Sequence, residues 1–301
     1  MNSEAASTSP EAAGTNSEIA ERVARLTGRP VGSVQPVGAQ HGYRHLEIVF
    51  ADGTRGFGKV STSGSDSGPA FAAEANGLRW LAEAGAVPVP EVLAADDTAL
   101  IVSMIPISSA TAEAAYRFGG DLARLHASGA AGFGAPWPGF IASLPLDNAP
   151  GDSWPQWYAE RRLRPFLRLG ASSGLLREED VSLVEAVINR LDSLAGPPEP
   201  PSRIHGDCWS GNVLWSGGRG WLIDPAAHGG HRETDLAMLA LFGAPHLTAV
   251  LEGYSDVTPL AAGWEARIPL HQLHPLLVHV CLFGESYRSA VCAAARSALA
   301  G

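Results

Sequence analysis

Between Arg203 and Ala226 the chain reads RIHGDCWSGNVLWSGGRGWLIDPA. Two short runs in it, NVLW and GWLID, are apolar enough to be strands, and the Ser216-Gly217-Gly218 stretch between them is a turn signal. Pairing the runs as a hairpin carries Asn212, at the start of the first, to the same end as Asp224, at the finish of the second. His205-Gly206-Asp207 stands just upstream, with four residues between Asp207 and Asn212.

These residue types at this spacing fit one chemistry. An Asp, four residues, an Asn and then a strand-borne Asp is the order in which phosphotransferases place a proton acceptor and their metal ligands. Asp207 would accept the proton of a hydroxyl nucleophile, while Asn212 and Asp224 would hold Mg2+ against phosphates. His205 is expected to hold the loop by hydrogen bonds rather than to act as a base. Taken singly, each has a plainer reading: Asp207 caps a helix, Asn212 turns the chain, and Asp224 ends a strand before Pro225. The four in this order are a stronger signal, and a second feature strengthens it.

That feature is RGFGKV, Arg55 to Val60, which holds the only lysine of the chain; the other basic residues are all arginine. Lysine is a compact point charge, whereas arginine is a wide planar fork, so a position keeping Lys in an Arg-writing chain suits a phosphate or a buried carboxylate. Phe71, Glu74, Leu78 and Leu81 fall on one stripe of a helix, which puts Glu74 in the middle of an apolar face. A carboxylate there is costly unless paired. Pairing with Lys59 accounts for both oddities; the plainer alternative turns Glu74 out to solvent.

Around these two features the chain has two parts. Ile19, Val23 and Leu26 follow a Thr15/Glu18 capping-box pattern and stop at Gly28. SVQPVGAQHGYRHLEIVFADGTRGFGKV then reads as three antiparallel strands, with Leu46, Ile48 and Phe50 alternating and Asp52-Gly53 as a turn. SGSDSGP is a polar loop. ALIVSMIPI, Ala99 to Ile107, reads as a buried strand ending at Pro106. Beyond it helical spacing dominates: Phe118, Leu122 and Leu125; Trp154, Trp157 and Tyr158 after a Ser153 cap; Val184, Val187, Ile188 and Leu191. The reading is an α+β chain: a tail over 1–16, a small lobe of antiparallel sheet with one helix over 17–105, and a larger, mainly helical lobe over 106–301.

Apolar residues are 46% and charged residues 17% of the 301, ordinary values for a globular protein. A net charge of −10 and a pI near 5.4 argue against nucleic acid or an anionic membrane as partner. Cys208, Cys281 and Cys292 form no CxxC pair and read as reduced thiols. The N-terminal residues lack a basic segment followed by an apolar run, and no stretch reaches the roughly 18 apolar residues of a membrane span. A cytoplasmic location follows as an expectation. Asp235 is expected to hydrogen-bond the 205–207 loop from behind. His271, His274 and His279 have no acidic partner nearby in sequence and read as packed residues rather than a metal cluster. Cys208 reads as small apolar filling, and Trp264 and Arg267 as either cleft lining or packing.

HGDCWSGNVLW, IDPAAHGGHRETDLAMLALFG and the segment from Tyr254 to Arg288 closely resemble the fructosamine (ketosamine) kinase family, within the aminoglycoside-phosphotransferase and protein-kinase-like superfamily. The resemblance extends from about Ser17 to the end and includes FAAEANGLRWLAEAG and SWPQWYAERRL. It implies a bilobal protein-kinase-like fold and use of ATP and Mg2+. Lys59, paired with Glu74, would contact the α/β-phosphates, Asp207 would be the base, and Asn212 and Asp224 the metal ligands. The backbone of Ser103, Met104 and Ile105 would meet adenine. Trp209 would stack on a sugar-amine, with His228 and His231 also facing substrate and His205 and Asp235 in support. Three departures stand out: GAQHGYRH, in the phosphate-covering loop 38–44, is poorer in glycine than the family's turn, Cys208 replaces a common Leu, and His228 replaces an aromatic. The loop also lacks the cysteine through which some relatives are redox-regulated, so no such switch is expected.

The implied reaction is phosphorylation of the 3-hydroxyl of fructosamine or ribulosamine adducts, free or on glycated protein, leading to deglycation. Two alternatives stand beside it: a kinase of another hydroxyl compound, such as an aminoglycoside or amino alcohol, and a non-catalytic nucleotide-binding protein. GHRE, DLAM and GWEAR favour the first reading. The complete set of catalytic polar residues argues against the last.

Overall fold

The computed structural model describes residues 16–40, 42–61 and 68–301. Residues 1–15 of the expected tail, among them Thr15 of the capping box, lie outside the described residues, as do His41 of the 38–44 loop and most of the SGSDSGP loop, whereas Asn16 already belongs to the first helix. The chain divides into two units, one ending at Ala75 and resuming over Glu91–Met104, the other formed by Asn76–Pro90 and Ile105–Gly301.

The first unit begins with α1 (Asn16–Thr27) and carries a five-stranded antiparallel sheet of β1 (Val31–Gln40), β2 (Tyr43–Phe50), β3 (Arg55–Ser61), β4 (Val92–Asp96) and β5 (Ala99–Ser103), ordered β1-β2-β3-β5-β4. The period-2 pattern of β2 does what it should: Leu46, Ile48 and Phe50 are all buried and pack with Ile19 and Val23 of α1. Gly53 takes a left-handed φ of 81° at the β2–β3 turn, and Asp52 Oδ1 accepts from Thr54 N–H at 3.0 Å. β4 has no counterpart in the sequence reading; its five residues are all half-buried and show no alternation. β5 ends at Ser103 rather than Pro106, although Met104 N–H still reaches Arg55 O at 3.0 Å. The helix carrying Glu74, α2 (Gly68–Glu83), runs from the first unit into the second, and buries Phe71, Leu78 and Leu81.

The second unit is mainly helical. Its helices are α3 (Ala112–Ala127), α4 (Trp154–Tyr158), α5 (Arg164–Ser172), α6 (Glu178–Ile188), α7 (Leu191–Leu194), α8 (Glu233–Leu241), α9 (Leu247–Val257), α10 (Trp264–Phe283) and α11 (Arg288–Ala300). A π-helical turn over Ala159–Leu163 joins α4 to α5. Three two-stranded sheets interrupt the helices: β6 (Gly139–Ile141) with β7 (Leu144–Leu146), β8 (Ser202–Ile204) with β11 (His228–Gly230), and β9 (Val213–Ser216) with β10 (Arg219–Leu222). One core joins α5, α6, α10 and α11 through residues such as Leu167, Val184, Leu277 and Val291. Another joins α3, α9 and the β9–β10 hairpin through Phe118, Leu122, Trp215, Leu222 and Tyr254. Among the described residues no helix is long and apolar enough to cross a membrane.

The α3–α9 contact is unusually close. A Cβ built on Gly119 would lie 1.9 Å from Val250 O, and one on Gly253 would lie 1.9 Å from Tyr116 O. Only glycine permits that approach at both places, and it draws the neighbouring His126 and Tyr254 into contact.

Candidate active site

In the first unit Lys59 and Glu74 meet. Lys59 lies on β3 opposite His45, and its Nζ donates to both Glu74 carboxylate oxygens at 2.8 and 2.9 Å. Both side chains are largely buried, 11% and 17% exposed. At the end of β5, Ser103 and Met104 direct their N–H groups to the carbonyls of Glu91 and Arg55, both within this unit.

In the second unit β9 and β10 pair in the register Val213↔Leu222, and Ile223 N–H reaches Asn212 O at 3.1 Å. The hairpin therefore brings the Asn212 and Asp224 backbones to one end. Asp224 itself lies past the strand in a left-handed conformation, φ 52°, and is exposed. For a non-glycine residue that conformation is strained, and the surrounding hydrogen bonds must enforce it. Asn212 donates its amide to Asp207 O and to Asp207 Oδ2, both at 2.9 Å. Its own amide oxygen is thus oriented away from Asp207. A hard oxygen pair, the Asn212 amide and the Asp224 carboxylate, suits Mg2+.

Burial pushes the Asp207 carboxyl up to about 7, the Asn212 hydrogen bond opposes this, and the charges of Asp224 and Asp235 add to the rise. His205 is fully buried, and burial lowers its pKa. Its Nε2–H donates to Ile223 O at 2.8 Å and its Nδ1 accepts from Asp207 N–H at 3.2 Å, tying the loop to the strand that precedes Asp224. Gly206 has φ 80°, and a Cβ there would lie 2.3 Å from Ala226 O. Asp235, fully buried in the first turn of α8, accepts from His205 N–H at 2.7 Å and Gly206 N–H at 2.9 Å. Cys208 is fully buried, and burial raises its thiol well above the ordinary value. Trp209 remains 38% exposed, its ring lying over Gly211.

His228 and His231, expected to face substrate, are both buried beside aromatic rings. His228 is buried with its ring 5.2 Å from that of Trp157, and its Nδ1–H donates to Ala226 O at 2.8 Å; burial lowers its pKa to about 3. His231 is buried 4.8 Å from the Trp154 ring. His231, Glu233 and His271 bring possible ligand atoms within 4.8 Å of one another. The acidic neighbour that the His271 region lacks in sequence is therefore supplied by α8. Arg267 already engages both Glu233 oxygens, at 2.9 and 2.5 Å, so this group is held as a buried ion pair flanked by neutral imidazoles. Arg267 packs within the unit.

Sequence reasoning did not single out His126, Tyr254 or Gly211. The Gly between Ser210 and Asn212 was the signal for the last, since any side chain there would meet the indole.

A five-stranded antiparallel sheet with one long helix, followed by a helical unit holding an Asp…Asn…Asp loop and hairpin, defines a phosphotransferase of the protein-kinase-like fold. The macrolide 2'-phosphotransferase type I shares it at a TM-score of 0.63 and 18% identity, over 94% of this chain and 97% of that one. The chain belongs to the fructosamine kinase family, whose model matches residues 16–300. It is 36% identical to the "Probable ketoamine kinase" of Klebsiella aerogenes over 72% of this chain and 76% of that protein. A crystal structure from Thermobifida fusca YX-ER1, bearing a provisional fructosamine-3-kinase name, is 52% identical with a TM-score of 0.92, covering 96% of this chain and 100% of that one.

Proposed function

We propose that this protein is an ATP- and Mg2+-dependent kinase that phosphorylates the 3-hydroxyl of ketosamines, acting in the cytoplasm on fructosamine or ribulosamine adducts, free or protein-bound. The observation that carries the reading is the Asp207 carboxylate. It is anchored by the Asn212 amide in a loop held by His205 and Asp235, within a chain of the fructosamine kinase family.

Asp207 accepts the proton of the sugar hydroxyl as that oxygen attacks the γ-phosphorus. Asn212 and Asp224 would hold Mg2+, which would neutralise phosphate charge. Lys59, fixed by Glu74, steadies the α/β-phosphates. The Ser103–Ile105 backbone receives adenine; with the Ser103 and Met104 N–H groups engaged in the sheet, Ile105 N–H and the carbonyls are the groups to read it. Trp209 offers its exposed face to the sugar-amine. A phosphate on C3 sits next to the C2 carbonyl. After enolisation toward C1 it leaves as inorganic phosphate, and water then hydrolyses the resulting imine to a dicarbonyl and the free amine.

The test is product analysis by phosphorus and proton NMR after incubation with Mg-ATP and fructosyl-lysine. A 3-O-phosphate ester that decays to phosphate and free lysine supports the reading. No ester from any ketosamine, with an ester formed from kanamycin, overturns the substrate.

A further inference from the structure

Arg162 lies in the π-helical turn between α4 and α5 and is only 1% exposed. Burial lowers its pKa to about 9, so the guanidinium is still charged at neutral pH. Its Nη1 donates to Asp147 O at 2.8 Å and Arg161 O at 3.1 Å, and its Nη2 to Asn148 Oδ1 at 2.7 Å. Its Cζ stands 4.2 Å from the centre of the Trp157 ring. The Asp147 carboxylate itself bonds Arg161 and Ala149 N–H. Arg162 Nε–H is the exception: among the described residues nothing accepts from it. A buried, charged N–H without an acceptor is costly, so the surroundings should supply one.

Those surroundings include a small cavity within the second unit, lined by Arg162 together with Trp157, Gly206, His228, Gly230 and His274. Its volume, about 10 Å³, is close to the room one water molecule needs. Hydrogen-bond logic fixes what the two histidines present. His228 Nδ1–H donates to Ala226 O at 2.8 Å and His274 Nδ1–H to Arg162 O at 3.2 Å, carbonyls that can only accept. Burial keeps both imidazoles neutral, so each Nε2 carries a lone pair. The Nε2 edge of His228 is turned toward two glycines of the cavity wall. A Cβ on Gly230 would lie 3.3 Å from that Nε2, and one on Gly206 3.1 Å from the adjacent Cε1.

The cavity thus joins one unmet cationic donor to two imidazole lone pairs. A halide would accept from Arg162 but face the lone pairs; a cation would face the guanidinium. Water both accepts and donates, and three hydrogen bonds are usual for a buried one.

We propose that this cavity is a binding site for a single water molecule, which accepts from Arg162 Nε–H and donates to His228 Nε2 and His274 Nε2. The water ties the π-helical turn to β11 and gives His228 an internal partner. None of this depends on the acceptor being a ketosamine.

The test is a crystal structure of the full chain at a resolution that shows waters, with a second crystal soaked in bromide. The expected result is one peak about 2.7–3.2 Å from Arg162 Nε, with no bromine anomalous signal there. In solution, Arg162 Nε–H should show a cross-relaxation peak to water, with the sign of a long-lived bound molecule. His228→Phe keeps an aromatic ring but removes the lone pair, and is expected to lose the density peak. Bromine at the site, or no density beside Arg162 Nε, overturns the proposal. So does a water unchanged in position and occupancy in His228→Phe. Should that variant not fold, the two wild-type crystals decide alone. If no ketosamine is phosphorylated, the substrate reading falls while these crystals still decide this one.

Discussion

Lys59 Nζ bonds both carboxylate oxygens of Glu74, at 2.8 and 2.9 Å, in a largely buried setting between β3 and α2. The only lysine of the chain is thus fixed in place by a carboxylate set on an otherwise apolar helix stripe. Lys59→Ala removes the countercharge and is expected to destabilise the fold by about 3 kcal/mol. Lys59→Arg keeps the charge but not the shape. It should melt close to wild type while kcat/KM for ATP falls at least about tenfold, on the order of 1.4 kcal/mol. Calorimetry and steady-state kinetics on the two variants check this; normal ATP turnover in Lys59→Arg contradicts the assignment.

Asp207 places a stability cost at the site. Its folded pKa, about 7, is raised above the ordinary 3.8. The folded state therefore binds the proton more tightly than the unfolded state, and this group's contribution to stability falls as pH rises from about 4 to about 7. In metal-free protein at pH 8, Asp207→Asn is expected to be more stable than wild type by about 1–3 kcal/mol. The difference should vanish near pH 4. Chemical denaturation at the two pH values measures it.

Arg267 and Glu233 form a second buried pair with the opposite sign. Burial raises the Glu233 carboxyl, but the nearby His271 ring, 3.3 Å away, and the hydrogen bonds from Arg267 outweigh that and hold it at about 2. A lowered acid contributes stability above its unfolded value near 4.5, and that contribution is lost as pH falls toward 2. Arg267→Met should cost about 3–5 kcal/mol at pH 7. The gap between variant and wild type should narrow as the medium is acidified from pH 5 to pH 3. A gap that widens on acidification would show that the pair is not what stabilises this region.

Gly211 supports Trp209 in a way a single methyl group would reveal. A Cβ at 211 would lie 2.2 Å from the indole Cη2. Gly211→Ala is therefore expected to displace the ring and raise KM for the sugar-amine severalfold, leaving KM for ATP unchanged. Trp209→Ala should reproduce the effect. Equal rises for both substrates would place Trp209 outside the acceptor site.

The parts of this fold that could be read from sequence are those governed by short-range periodicity. Leu46, Ile48 and Phe50 alternate, Phe71, Leu78 and Leu81 share a helix stripe, and the 213–222 hairpin turns at Gly217-Gly218; all three take the structure their spacing dictates. β4 escaped because none of its residues is fully buried, so no alternation exists to detect. The π-helical turn at Ala159–Leu163 has nearly the spacing of an α-helix. In the candidate site the polar residues were legible because chemistry fixes their order along the chain. Of their supports, His205 and Asp235 were legible as well, but the side chains packed behind Asp235 were not. His126, Tyr254 and Asp235 meet only because α3 and α9 cross at two glycines, and Glu233 meets His271 only through the packing of α8 on α10. His228 and His231 show the reverse: near Asp224 in sequence, they turn inward onto Trp157 and Trp154.

The central claim is tested most directly by ADP release from Mg-ATP in the presence of fructosyl-lysine, wild type against Asp207→Asn. The account predicts acceptor-dependent turnover in the wild type and a loss of at least about 100-fold in the variant. An Asp207→Asn protein that turns over fructosyl-lysine within tenfold of wild type would contradict it.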